Sequence, residues 1–416
     1  MPSDPKTDEA PRGRQYTYLP VLTWSLLTLM VVYFFVWFLS RPSTAERLQV
    51  ASFAEALHDI PSEYLEKVDR TSLYQAAMKG MVASLKDKYS WYLTPRQLTR
   101  LSEETKGEFG GIGVVLSAAA GKPLVERVLQ DSPAARAGIE PGDIIVQLDG
   151  EDIAGWPLDK VSSLVRGQPG TEVTMQLARG TDAHSVTVKV TRELIHVPDV
   201  EHEMLQDGIG VLRVLGFDET CAEDTKSALT DMLSKGLKGL VFDLRGNPGG
   251  LVKQATEVCD VFLNSGRILS LESRGRPAEP PVDAKPGALV PEAMPVVILV
   301  DSGTASAAEI VAGALQANHR ATVVGTKTVG KGSVTRALHL PDESGLVLTV
   351  AHYELAGGEV IEGKGVQPDA VVGELPPPPE AMEAVEALRW HVEEAEKAKK
   401  EQLDRAIQVL KEKLAK

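Results

Sequence analysis

Apolar positions recur every three or four residues in FAEALHDIPSEYLEKV and SLYQAAMKGMVASL, so residues 44–104 predict an N-terminal helical segment. Beyond residue 105 the period shortens. PLVERVL, DIIVQLDG, EVTMQLARG and HSVTVKVTR are short β-rich runs between turns, with two short helical candidates, SPAARAG and PLDKVSSLVRG. Residues 105–193 therefore form a small β-rich domain. Over 194–375 strand-like runs (IGVLRVL, GLVFDL, VVILV, ATVVG, LVLTVAHYEL) alternate with helix-like ones (AEDTKSALTDMLSKG, KQATEVCDVFL, SAAEIVAGALQAN), a pattern that predicts α/β layering. PPPPE at Pro376–Glu380 breaks the chain. The segment 376–416 is thus a Pro-rich linker and one helix rich in Ala, Glu, Lys and Leu, either solvated or packed on a partner.

The uncharged run Leu19–Leu39 is long enough to cross a bilayer and carries several aromatic residues. No A-x-A cleavage site follows it, so it is expected to stay as a signal anchor, with 1–43 forming the cytoplasmic N-terminus and the membrane span. Lys6, Arg12 and Arg14 precede the run, and Arg41 and Arg47 follow it, which orients the bulk of the chain outside the cytoplasm. The expected location is the inner membrane, with the soluble part in the periplasm or an equivalent extracytoplasmic space. The 416 residues carry a net charge of −14, and no concentrated basic patch exists to neutralise phosphates, so nucleic acid is excluded as a partner. Cys221 and Cys259 are too few for a disulfide framework and suit no metal site. Whether they pair is left open.

Two glycine-rich stretches and one hydroxyl-rich one carry the candidate chemistry. GEFGGIGVVL (Gly107–Leu116) lacks the lysine and hydroxyl of a phosphate loop. Backbone amides of small residues beside a strand edge instead suit capture of a peptide carboxylate. VDSGTASAAEIVAGAL (Val300–Leu315) follows an apolar strand and places Ser302, Thr304 and Ser306 where a helix begins. A helix N-terminus offers unpaired N–H groups to a developing oxyanion, though a hydroxyl there is also an ordinary N-cap. For a base, His319, His339 and His352 follow the serine without a recognisable acidic partner. Lys327 and Lys331, in GTKTVGKGSV, are the other candidates, because burial lowers a lysine's pKa; a surface turn is the alternative. VFDLRGNPGGLVKQA is a strand followed by a Gly-rich turn whose amides can face a cleft.

Together these motifs form a specific pattern. The Gly-rich loop with DSPAARAGIEPGDIIVQLDGEDI resembles a PDZ domain. DLRGNPGG, DSGTASAAEI, GTKTVGKGSV and GGEVIEGKGVQPD then follow in order, and this resembles the carboxyl-terminal processing, or tail-specific, serine peptidase family over about residues 72–372. The resemblance implies a crotonase- or ClpP-like α/β core with an inserted PDZ domain. It implies Ser306 as nucleophile, Lys331 as general base, an oxyanion hole from the amides of Gly249 or Gly250 and of Ala307, and no metal or cofactor. In the PDZ domain it implies tail binding by Gly111, Ile112, Gly113 and Val114, with Arg166 in gating. Substrates would be proteins with exposed apolar C-terminal tails, and the resemblance leaves room for a homo-oligomer or an activating adaptor. Two positions depart from it: Thr335 stands where many members have a glutamine that orients the lysine, and SLKDKYSWYL stands where L-D-P-H-S is usual. A PDZ scaffold that has lost activity is the competing reading, favoured only by Thr335.

Overall fold

The computed structural model describes Met30, Tyr33 and residues 43–415, apart from 120–121, 181–183, 197–198, 275–279, 359 and 376–383. The expected span Leu19–Leu39 lies outside the described residues except for Met30 and Tyr33. Among the described residues no helix is long and apolar enough to cross a membrane.

Two compact units divide the chain, Met1–Met81 and Val82–Lys416. In the first, the helix Thr44–Glu63 starts at a capping box: Glu46 N–H donates to Ser43 Oγ at 3.2 Å, and Ser43 N–H donates to Glu46 Oε2 at 2.6 Å. A second helix spans Arg70–Ala83. The predicted helical segment also contains a short strand, Trp91–Leu93, which belongs to the second unit and pairs there antiparallel with Val347–Gly345.

At the centre of the second unit lies a six-stranded sheet, in the order Val200–Met204, Ile209–Val214, Gly239–Asp243, Val296–Val300, Thr322–Gly325 and Ala370–Val371. The first pair is antiparallel and the others are parallel. Every residue of GLVFD and VVILV is buried, because both faces of the sheet are covered. Leu240, Phe242, Val296, Ile298 and Val300 pack under the helices Cys221–Ser234, Val252–Phe262 and Ala307–Ala317. The alternate residues Val241, Val297 and Leu299 pack against Ala406, Val409 and Leu410 of the helix Ala384–Leu414. The predicted C-terminal helix therefore packs on its own chain. A second, antiparallel sheet is built on the long strand Gly345–Leu355, which pairs with Ser333–His339, Arg267–Glu272 and Trp91–Leu93.

The β-rich domain has its own core around Ile112, Val161, Val165 and Leu177. Its neck is an antiparallel pair, Glu108–Gly111 with Glu193–His196. Arg192 is buried at the neck and donates to the carbonyls of Leu164 (2.6 Å) and Val165 (3.0 Å), satisfying the C-terminal end of the helix Leu158–Val165. The buried thiols Cys221 and Cys259 are free, and desolvation pushes both pKa values up.

Candidate active site

The strand Val296–Val300 ends at Asp301, and the next five residues turn the chain into the helix Ala307–Ala317. Asp301 Oδ1 accepts the N–H groups of Gly303 and Gly246, both at 2.9 Å. Thr304, fully buried, donates to Leu244 O at 2.9 Å and accepts from Asp301 N–H at 3.0 Å. Ser302 is exposed. Of the three hydroxyls, one faces solvent and one is used up in the turn. Ser306 is left at the N-cap, 8 % exposed, with φ +54° and ψ −116°. A positive φ at a non-glycine residue costs energy and persists only where the surroundings enforce it.

Those surroundings are chiefly Glu309, completely buried one turn into the same helix. Its Oε2 accepts the N–H of Ser306 and the N–H of Lys331, each at 2.8 Å. Its Oε1 accepts the N–H of Gly330 at 2.7 Å and the hydroxyl of Thr328 at 2.5 Å. All four partners are donors, so the group serves as an acceptor only. Tyr353, equally buried, adds a second clamp: its Oη lies 3.0 Å from Ser306 O and 2.6 Å from Lys331 O. Two side chains thus hold the backbones at 306 and 331 together. Neither was singled out from the sequence, although S-A-A-E carries the spacing of a capping box.

Lys331 is half-buried, and desolvation holds its amine below the ordinary lysine pKa. The nearby carboxylates of Glu362 and Glu309 pull the other way. Its Nζ sits 5.1 Å from the centroid of the Tyr89 ring. Thr335 lies on the following strand, opposite Thr349 beside an irregularity in register. His319, His339 and His352 are exposed.

The turn after Gly239–Asp243 approaches from the other side. Asn247 is buried; its Nδ2 donates to Val214 O and its Oδ1 accepts Gly249 N–H, both at 2.8 Å. Its carbonyl accepts Ala305 N–H at 2.9 Å, which ties this turn to the serine turn. The N–H groups of Gly250 and Ala307 enter no hydrogen bond among the described residues. A Cβ at Gly249 would come within 2.7 Å of Ser306 Cβ, and one at Gly250 within 2.4 Å of Phe217 O, so both positions require glycine. Arg245, paired with Asp243, donates to Lys399 O at 2.6 Å and to Gln402 Oε1 at 3.2 Å. The C-terminal helix therefore buttresses this turn.

In the β-rich domain a cleft of about 480 Å³ is lined by Gly111, Ile112, Gly113, Val114, Leu158 and Arg166, among others. The carbonyls of Ile112 and Gly113 accept Ala134 N–H (2.8 Å) and Leu129 N–H (2.9 Å), while their own N–H groups are unpartnered among the described residues. Such a pair of amides can cradle a carboxylate. The Arg166 guanidinium lies 4.3 Å from the ring centroid of Phe109 in the neck. No group of three or more potential metal ligands occurs among the described residues.

A model of peptidase family S41 matches residues 208–372, a PDZ-domain model matches 124–179, and a model of the N-terminal domain of the activating protease CtpB matches 40–96. A carboxy-terminal-processing protease of Bartonella bacilliformis is 39% identical over 328 residues, 78% of this chain and 75% of the relative. The carboxy-terminal processing protease CtpA of Bacillus subtilis is 36% identical over 323 residues, 77% and 68% of the two chains. A solved photosystem II D1 C-terminal processing protease is 29% identical, covering 79% of this chain and 87% of its own, with a TM-score of 0.45.

Proposed function

Because this chain belongs to peptidase family S41, as a carboxyl-terminal processing serine protease with a PDZ domain, we propose that it cleaves peptide bonds with Ser306 as nucleophile and Lys331 as general base. The observation that carries this assignment is the double clamp of Glu309 and Tyr353 on the backbones of both residues. Neutral Lys331 takes the Ser306 Oγ proton as Oγ attacks the scissile carbonyl carbon. The carbonyl oxygen becomes an oxyanion, held by the N–H groups of Gly250 and Ala307. Gly249, whose amide is engaged with Asn247, shapes the turn. The ammonium of Lys331 then returns its proton to the leaving amine as the C–N bond breaks. Water attacks the acyl-enzyme and gives a proton to Lys331, which passes it to Ser306 Oγ as the acyl C–Oγ bond breaks and the new carboxyl terminus leaves.

The tail of a protein substrate would add along the strand Val114–Ala119, its carboxylate on the Ile112 and Gly113 amides and its last apolar side chain in the cleft. Residues 19–39 would anchor the enzyme in the inner membrane, with the catalytic part outside the cytoplasm. A fluorogenic peptide ending in an apolar tail tests the reading. Wild type should turn it over and take a covalent fluorophosphonate label, whereas Ser306→Ala should do neither and Lys331→Ala should lose turnover. Labelling that survives Ser306→Ala, or turnover that survives Lys331→Ala, overturns the assignment.

A further inference from the structure

We propose that Tyr89 is the positioning residue for the Lys331 amine: its ring, rather than a hydrogen-bonding side chain on the strand that follows, limits where Nζ can go. The proposal rests on the Ser306–Lys331 reading above. At 5.1 Å from the ring centroid, Nζ lies within the roughly 6 Å range over which a ring attracts a cation. The alternative support is missing. No hydrogen bond among the described residues joins Thr335 to Lys331, and none ends on Nζ.

The backbone that carries the ring is held in place. Asp87 Oδ1 accepts Tyr89 N–H at 3.0 Å, and Asp87 Oδ2 accepts the Ser90 hydroxyl at 2.6 Å. Ser90 Oγ accepts Thr349 N–H at 3.0 Å, and the strand Trp91–Leu93 then pairs with Val347–Gly345. This pins Tyr89 to the long strand that also carries Tyr353, the clamp on the Lys331 carbonyl. One strand therefore fixes both the backbone of the base and the wall beside its amine.

An aromatic face also suits the chemistry. A base must be neutral before Ser306 attacks and cationic just afterwards. The apolar ring helps to desolvate the neutral amine, and its negative face tolerates the ammonium. A carboxylate in the same place would hold the proton on the lysine. Lys88 Nζ also lies 4.5 Å from the same centroid, so its effect has to be separated from that of Lys331.

The test uses the full-length protein in detergent and the fluorogenic tail peptide. Tyr89→Leu should lower kcat about tenfold, the scale of a partly desolvated cation–π contact, with KM within about twofold. Tyr89→Phe keeps the ring and should return kcat to within about threefold of wild type. Tyr89→Met replaces Leu if the latter fails to fold. The proposal is overturned if the ring-less variant keeps wild-type kcat, if Phe loses as much as Leu, if the loss is in KM, or if Lys88→Ala reproduces it. Lys331→Ala assayed alongside separates the two levels: activity there sinks the dyad itself, whereas an inactive Lys331→Ala beside an undamaged Tyr89→Leu sinks only the role of Tyr89.

Discussion

Replacing Glu309 by glutamine changes one atom of the site and should disarm it. Glutamine fills the same volume, so no cavity opens. Its single oxygen, however, can serve only one of the two donor pairs, Ser306 and Lys331 N–H or Gly330 N–H and the Thr328 hydroxyl. With the amide NH₂ toward Ser306 and Lys331, two buried N–H groups are orphaned. With NH₂ toward Gly330, the Thr328 hydroxyl can turn away, although its oxygen already accepts Val366 N–H at 2.7 Å, and one N–H is orphaned. The second orientation is cheaper. An orphaned buried donor costs about 1–3 kcal/mol, and the two surviving bonds, from Ser306 and Lys331 N–H, lose their charge assistance, so a loss near 3 kcal/mol is expected. That lowers Tm by roughly 6–12 °C. The orphan sits next to Lys331, and a displacement of the base approaching 1 Å lowers kcat by about ten- to a hundredfold. Calorimetry and single-turnover cleavage measure both effects, with tail-peptide affinity as the control that should not move. A variant with wild-type Tm and wild-type kcat would refute the view that this carboxylate assembles the site.

Three further expectations concern pH and the tail cleft. The Glu362 carboxylate raises the Lys331 pKa, so Glu362→Gln, whose Oε1 can still accept Gly332 N–H, should move the acid limb of the kcat/KM profile to lower pH; a limb that stays or rises contradicts this. Asp199 is pushed up to about 6, by desolvation first and then by the neighbouring Asp218. Between its ordinary value of 3.8 and about 6 the folded chain keeps a proton that the unfolded chain has released, so stability falls as pH rises through that window. Asp199→Asn should therefore raise Tm above pH 6 and leave it unchanged near pH 4, a pattern that scanning fluorimetry across pH would find or exclude. At Gly113, with φ +80°, an added Cβ would lie 2.3 Å from Ser132 Cβ. Gly113→Ala should weaken tail binding at least tenfold by fluorescence anisotropy, on the order of 1.4 kcal/mol, while covalent labelling of Ser306 persists.

By itself the sequence determined the local elements and the order of the motifs. The alternation of apolar runs marked GLVFDL and VVILV as buried strands and SAAEIVAGALQAN as a helix, and all three form. Such patterns are legible because a period of two or of about 3.6 records which face of one segment is buried. What those faces meet is a different matter. Glu309 reads locally as the acid of a capping box; that it also binds the amides of Gly330 and Lys331 depends on the strands Val296–Val300 and Thr322–Gly325 lying side by side. Gly249 and Gly250 were interchangeable on paper, and only the Asn247 side chain distinguishes their amides. The charged C-terminal helix carried no mark of the sheet face that its Ala406, Val409 and Leu410 cover. Tyr89 reaches Lys331 because the strand Trp91–Leu93 crosses more than two hundred residues of intervening sequence to pair with Val347–Gly345. Contacts of this kind follow from the order of strands in a sheet, which is set by the packing of the whole core and leaves no local period in the chain.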